Sequence, residues 1–463
     1  MTVVDRDGQQ RGVHRGLARI RAALAEPFVR GSVITFACHG LGIVLGYLFA
    51  LLISRRLGAE AMGLFTIAYT VLNIATVLGR LGLDIALLRF VAEFSAREQG
   101  EQVRRFLAGA VAVALPCSLG VGLLLFLAAG PLARDLFRKP ELEASLREVA
   151  CLVPVLALFF LQTESLRGLR RIGAYGFLQN ASLYLFSCLA AFLLLEGLDW
   201  EGAQVPIQAL GAAIVLATVI GGLLLHRQLG LAGLYRGGMA AIRPMLAVSL
   251  PLMTSKIMFF VMGWVDILLL GVFRTGAEVG IYNIAVRLSS VVGIVLLVIN
   301  VVVAPRYAQL HTLGDRDGFV GLVWRTSRVV FISSLPLLLL LLLLPGPVLG
   351  VFGEEFRQGS QILALLALGE FINANCGSVG IILQMTGRER LFRNIACAAT
   401  VLNLGLNSVF IPRFGIYGAA VTNVATVSSW NLLAVWLVWR EFGVLTPYVP
   451  GLERLLRRHR AGQ

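Results

Sequence analysis

Ionisable and amide side chains stand inside apolar runs of this chain, at spacings that put them on shared helix faces. One run carries Thr66, Thr70, Asn73, Arg80 and Asp84. At about 100° per residue, Asn73, Arg80 and Asp84 fall within about 40° of one another. Arg80 and Asp84 form an i,i+4 pair able to neutralise each other. A second run carries Asn283, Arg287, Ser290 and Asn300 on one stripe, and a third holds Lys256 and Asp266. Lys256 has no carboxylate one turn away, and neither has Arg287. An ionisable group at mid-bilayer costs roughly 2.5–3.5 kcal/mol on insertion scales, so it is expected to face a wet cavity and to mark function. Arg80, Lys256 and Arg287 outnumber Asp84 and Asp266, which biases the set positive. A positive site with low-dielectric walls draws anions, and the planar arginine fork suits phosphate.

The same stripes admit a second reading, as hydrogen-bonding glue between helices. His39, one turn from Thr35, fits either substrate contact or packing. Glu370, Asn373, Asn375 and Gln384, with Gly369 and Gly377 among them, predict a bent or broken helix. No Walker A loop, nucleophile elbow or metal-spaced His/Cys set occurs, so no enzyme chemistry, metal or cofactor is expected. Cys38, Cys117, Cys151, Cys188, Cys376 and Cys397 all lie in apolar runs without a CxxC pair and read as small packing residues.

The elements that hold these groups follow from composition. The chain is 57% hydrophobic and 14% charged, with mean hydropathy +0.82. Soluble domains run nearer a quarter charged, so the apolar surplus must face lipid. One crossing needs about 20 apolar residues. Such stretches fall at 32–53, 61–92, 104–129, 149–166, 173–195, 205–225, 244–272, 279–304, 322–344, 358–385, 391–411 and 415–439. The expectation is an all-α membrane protein of about twelve transmembrane helices. Runs such as Leu335–Leu344 do not alternate, which excludes a membrane barrel. No secretory signal is visible in the polar, Arg-rich start, which reads as a cytosolic anchor rather than a nucleic-acid arm.

Basic residues alternate between connections. One set, from Arg6 through Arg97, Arg167, Arg227, Arg306 and Arg388 to Arg460, holds 27 of them; the opposite set, from Arg55 to Arg413, holds 9. The positive-inside rule puts the richer set, and both termini, in the cytosol of a bacterial inner-membrane protein. Arg89 and Arg306 then stand at the cytosolic mouth, where they either guide anions or only obey that rule. The basic C-terminal tail either binds membrane lipid or is simply solvated.

The chain also repeats. Gly58-Ala59-Glu60-Ala61-Met62-Gly63-Leu64-Phe65 is echoed by Gly276-Ala277-Glu278-Val279-Gly280-Ile281-Tyr282. An offset of 217 carries Gly63 onto Gly280, Thr66 onto Asn283, Thr70 onto Arg287, Asn73 onto Ser290 and Arg89 onto Arg306. Gly211-Ala212-Ala213-Ile214 is echoed by Gly418-Ala419-Ala420-Val421. The expected organisation is a basic tail at 1–30, a six-helix lobe at 31–228, a cytosolic linker at 229–243, a second six-helix lobe at 244–440 and a basic tail at 441–463. The lobes are expected to be pseudo-symmetric about a central cavity.

These turns, with Thr386-Gly387-Arg388-Glu389-Arg390, the run Asn403 to Pro412, and Gly415-Ile416-Tyr417-Gly418-Ala419-Ala420, resemble the bacterial O-antigen/oligosaccharide flippases. Those proteins belong to the multidrug/oligosaccharidyl-lipid/polysaccharide exporter superfamily. The resemblance covers about residues 30–440. It implies alternating access that moves an anionic, polyprenyl-diphosphate-linked oligosaccharide across the membrane. It also implies an ion gradient (H+ or Na+) or membrane potential as energy source, and work beside polysaccharide polymerase and glycosyltransferase machinery. By span position, the diphosphate-binding residues map onto Arg80, Lys256 and Arg287. Relatives that flip the peptidoglycan precursor resemble this pattern with two further C-terminal helices beyond the twelve expected here, so a different glycan is expected. A cation/drug antiporter of the superfamily is the alternative, for which unpaired acids are expected in the first lobe. A non-transporting scaffold of a polysaccharide assembly complex is the other.

Overall fold

Long runs of leucine, valine, isoleucine and alanine satisfy their backbone donors and acceptors only as helices where water is absent. The computed structural model describes residues 27–198, 200, 202–230 and 239–450, apart from the side chains of 27–30, 32, 239–241, 250–252 and 254–262. Among these residues every regular element is helical. In chain order they are α1 (Pro27–Arg80), α2 (Leu83–Ala96), α3 (Gly100–Pro131) and α4 (Leu142–Gly168). Then come α5 (Ile172–Gly197), α6 (Val205–Leu229), α7 (Met239–Phe273) and α8 (Gly276–Thr312). The chain ends with α9 (Arg316–Leu343), α10 (Pro345–Gly350), α11 (Ser360–Cys376), α12 (Val379–Met385) and α13 (Glu389–Phe442). Large side chains stand bare on them: Leu124 is 69% exposed, Val302 70% and Leu343 75%. Contiguous apolar surface of this kind belongs in hydrocarbon.

Nine helices among the described residues are long and apolar enough to cross a membrane. Two of these, in α1 and α13, run to 48 and 54 residues, enough for two crossings each. No loop separates the paired spans. Instead α1 turns at Gly58 (φ 80°, ψ −177°) and α13 at Gly415 (φ 60°, ψ −134°), conformations open only to glycine. The described apolar part of α7, Gly263–Phe273, is shorter.

The expected span 61–92 is not one helix. Arg80 closes α1, Leu81 (φ 52°) and Gly82 (φ 70°) are left-handed, and α2 restarts at Leu83. Arg80 and Asp84 therefore straddle a break. The stripe on α8 is likewise interrupted, by a 3-10 turn at Val291–Gly293 that winds tighter than the α-helix on either side. The bend expected in span 358–385 lies at Gly377 (φ 75°), between α11 and α12.

Contacts divide the chain into two compact units. One comprises Met1–Leu52, Val71–Gly130 and Glu143–Thr254; the other comprises Ile53–Thr70, Pro131–Leu142 and Ser255–Gln463. The second unit thus takes in the middle of α1 and the α3–α4 connection. In the first unit α5 contains π turns at Phe177–Ser182 and Leu193–Gly197. At the first of them Asn180 Oδ1 lies 3.0 Å from His39 Nδ1. In the second unit a core around Tyr307, Val323, Ile382 and Val438 is tied by a 3.0 Å Tyr307–Thr326 hydroxyl bond.

Candidate functional site

In the first unit the break after α1 buries a charge. Arg80 is 5% exposed and Asp84 2%. The guanidinium Nη1 lies 3.5 Å from Asp84 Oδ2, and Cζ stands 4.2 Å over the ring of Phe160. A buried ion pair is tolerated only when its geometry and remaining contacts offset desolvation, and the negative face of the ring supplies a second partner. Close packing fixes the break: a Cβ on Gly79 would stand 2.8 Å from Ser118 Cβ, and one on Gly82 2.9 Å from the Ser249 carbonyl. The Arg80–Asp84 pairing follows from the sequence spacing. Phe160 comes from α4, and no local spacing rule points to it. Asn73 is partly buried two turns earlier on α1.

In the second unit Asp266, 8% exposed, accepts hydrogen bonds from Tyr282 Oη at 2.8 Å and from the Ile267 amide at 2.9 Å. Arg287 Nε donates to Asn283 Oδ1 at 3.0 Å, so an amide one turn away orients the cation. Asn300 Oδ1 is buried with no hydrogen-bond partner among the described residues. A further polar chain runs from Glu370 Oε2 through Asn373 Nδ2 (3.4 Å), then from Asn373 Oδ1 to Asn431 Nδ2 (3.0 Å). The Glu370 carboxylate sits against Gly293, where a Cβ would stand 2.8 Å from Oε2, at the 3-10 turn of α8. The Lys256 side chain lies outside the described residues. Arg89 and Arg306 are exposed, and Arg306 Nη1 donates to Gln309 at 2.8 Å.

The two repeated turns meet inside the second unit. Ala59 and Gly63 on α1 face Gly276 and Gly280 on α8, a small-xxx-small pair on each helix that lets backbones touch. A Cβ on Gly63 would overlap the Gly276 carbonyl, and one on Gly280 would overlap the Ala59 carbonyl. Each turn has a backbone amide capped by a distant acid. Ala277 N donates to Glu60 Oε2 at 2.7 Å, and Ala59 N donates to Glu355 Oε1 at 2.5 Å. Thr275 and Glu278 add a capping box to α8.

Beside them Lys139 Nζ donates to the carbonyls of Gly271 and Arg274, both at 2.6 Å, and of Phe137 at 3.2 Å. Gly271 and Arg274 carry carbonyls at the C-terminus of α7, where the helix dipole is negative. Three convergent donors on one atom suit an ammonium and not the flat guanidinium fork. Burial pushes the Lys139 pKa below its ordinary value, opposed by attraction to Glu60 and Glu278. A cavity of about 790 Å³ opens here, lined in part by Glu60, Asp135, Arg138, Lys139, Arg274 and Glu278. By sequence Lys139 is one of the nine basic residues in the poorer set of connections. Its signal was its rarity, since Lys139 and Lys256 are the only lysines among 40 basic residues.

Residues 28–311 match the family model described as Polysaccharide biosynthesis protein, and residues 251–409 match that described as MatE. A Haloferax volcanii protein named "Probable low-salt glycan biosynthesis flippase Agl15" is 24% identical over 403 residues, covering 85% of this chain and 79% of that protein. Among solved structures, the lipid II flippase MurJ in an inward closed conformation superposes with TM-score 0.71 at 14% identity, covering 90% of each chain. An inward-facing multidrug resistance MATE family transporter also reaches TM-score 0.71, at 12% identity, covering 89% of this chain and 98% of that one. The likeness to both structures is one of fold.

Proposed function

The chain belongs to the polysaccharide biosynthesis protein family, and on that premise we propose that it is a transporter that flips a lipid-linked glycan across the cytoplasmic membrane. The family match over residues 28–311 carries this reading. Buried Arg80 and partly buried Arg287, which Asn283 orients, support it, because a diphosphate head leaving water needs positive partners that are already held in place. Arg80 in the first lobe, and Lys256 and Arg287 in the second, bind the diphosphate of a polyprenyl-diphosphate oligosaccharide. Asn73, Asp84, Asp266, Asn283 and Asn300 set the polarity around them, and Arg89 and Arg306 attract the anion at the cytosolic mouth. The two lobes comprise residues 31–228 and 244–440, and they alternate access with both termini in the cytosol. An H+ or Na+ gradient or the membrane potential supplies the energy, and polymerase and glycosyltransferase machinery works alongside.

The test is transport by the full chain in proteoliposomes loaded with a fluorescent polyprenyl-diphosphate disaccharide. Wild type is expected to move the probe between leaflets. Lys256→Gln with Arg287→Gln is expected to reduce the rate at least tenfold with unchanged folding and yield. Equal rates in the two proteins overturn the cationic site. The match of residues 251–409 to MatE favours a second reading, a cation or drug antiporter. Ethidium efflux without movement of the glycan probe would select that reading.

A further inference from the structure

A second site, away from every residue assigned above, lies in the first unit where α4 ends, α5 begins and α6 ends. It is a cavity of about 480 Å³ lined in part by Ile34, Arg170, Arg171, Ile172, Leu224 and Gln228. Two arginines and one amide face an otherwise apolar or small wall, and no acid lines it. That is the composition of a pocket for a molecule with an anionic head and a hydrocarbon body.

Both arginines are held in ways that favour an anion. The chain leaves α4 by a Schellman turn, with Arg171 N donating to Leu166 O at 2.9 Å and Arg170 N to Arg167 O at 3.0 Å. The left-handed position of that turn (φ 58°) is usually glycine, yet here it is Arg170. An exposed cation kept where glycine fits better is a strained residue of the kind that marks function. The Arg170 side chain has no hydrogen-bond or ion-pair partner among the described residues. Arg171 donates through Nε (3.2 Å) and Nη2 (2.7 Å) to Gln228 Oε1, which orients its fork without neutralising it. Glu164, the acid nearby on α4, is paired with Arg167 at 3.4 Å.

The apolar wall is equally fixed. Thr35 Oγ1 donates to the Ile172 carbonyl at 3.0 Å, and a Cβ on Gly31 would stand 3.0 Å from Ile172 Cβ. The start of α1 is thereby fastened to the start of α5 with Ile34 and Leu224 beside the opening. The position, at helix ends bordering bare apolar surface, is where a phospholipid presents its phosphate.

We propose that this cavity is a binding site for an anionic phospholipid of the adjacent leaflet, with the phosphate on Arg170 and Arg171 and the first methylenes of an acyl chain along Ile34 and Leu224. The experiment is native mass spectrometry of the detergent-purified full chain, offered equimolar dioleoyl phosphatidylglycerol and dioleoyl phosphatidylcholine. Wild type is expected to retain phosphatidylglycerol at least threefold over phosphatidylcholine. Arg170→Gln with Arg171→Gln is expected to bring the ratio to about one. Arg170→Gln alone, at an exposed side chain, is expected to lower it at least twofold and serves if the double variant misfolds. Leu224→Trp, which fills the apolar part and leaves both charges, is also expected to lower retention. Equal retention of the two lipids by wild type, or an unchanged preference in both arginine variants, overturns the proposal. So does inorganic phosphate raising the melting temperature as much as phosphatidylglycerol does, because the site would then take a free anion and not a lipid.

Discussion

The same short motif is used differently in the two halves of the chain. At Gly276-Ala277-Glu278 the acid folds back on its own helix, closing a capping box with Thr275. At Gly58-Ala59-Glu60 the acid reaches away and caps Ala277 of the other turn, while Ala59 is capped in its turn by Glu355. Two copies of one signal thus divide the labour: the second stabilises its own helix start, and the first couples α1 to α8. Local pattern decides that a helix begins, and tertiary neighbours decide whose amides an acid satisfies.

The strongest way to break this comparison is at the contact both turns share. Gly63→Leu or Gly280→Leu drives a side chain into the facing carbonyl and should cost about 3 kcal/mol or more, since overpacking alone costs about 1–3. Loss of monodisperse protein on size exclusion, or a large drop in melting temperature, is the expected readout. Gly120→Leu, with open space around its missing Cβ, is the control.

Next in size is the clasp beside the turns. Lys139→Met leaves the Gly271 and Arg274 carbonyls without their donor and should cost about 1–2 kcal/mol. Lys139→Arg should recover less than half of that, because a guanidinium cannot converge on both carbonyls. Full recovery by arginine, followed by thermal unfolding, would show that charge alone is used.

Smaller still is the contrast between the two acids. Glu60→Ala should destabilise by about 1 kcal/mol, as for loss of a helix cap. Glu278→Gln should cost only a few tenths, because glutamine also closes a capping box. Equal effects would erase the division of labour. The finest test is pH. The Lys139 pKa in the fold lies below the ordinary 10.5. Between those two values the unfolded chain binds more protons than the fold, so stability rises with pH. Wild type should gain stability relative to Lys139→Met as alkaline pH approaches 10.5, and parallel melting curves would remove the effect.

What the sequence makes legible is whatever depends on near neighbours. The apolar runs locate the helices because lipid leaves the backbone no alternative. The Arg80–Asp84 pair is legible because four residues separate its members, and it survives even though the helix breaks between them. Gly58 and Gly415 are visible as glycines, but nothing local says that one helix follows another across each of them with no loop between. Tyr282 on Asp266, Phe160 under Arg80 and Glu355 on Ala59 are invisible to periodicity, since each joins separate elements. Lys139 was in plain view as a rare residue type, and its task appears only once the end of α7 is placed beside it.

The glycine crossing of α1 over α8 has a consequence for how such a chain can change. Main chain rests on main chain there, so the contact takes no notice of which side chains are carried elsewhere along either helix. Selection is free to rewrite those side chains and leave the crossing untouched. Scaffold and side-chain chemistry are then inherited separately, and a lineage is able to shift one without rebuilding the other.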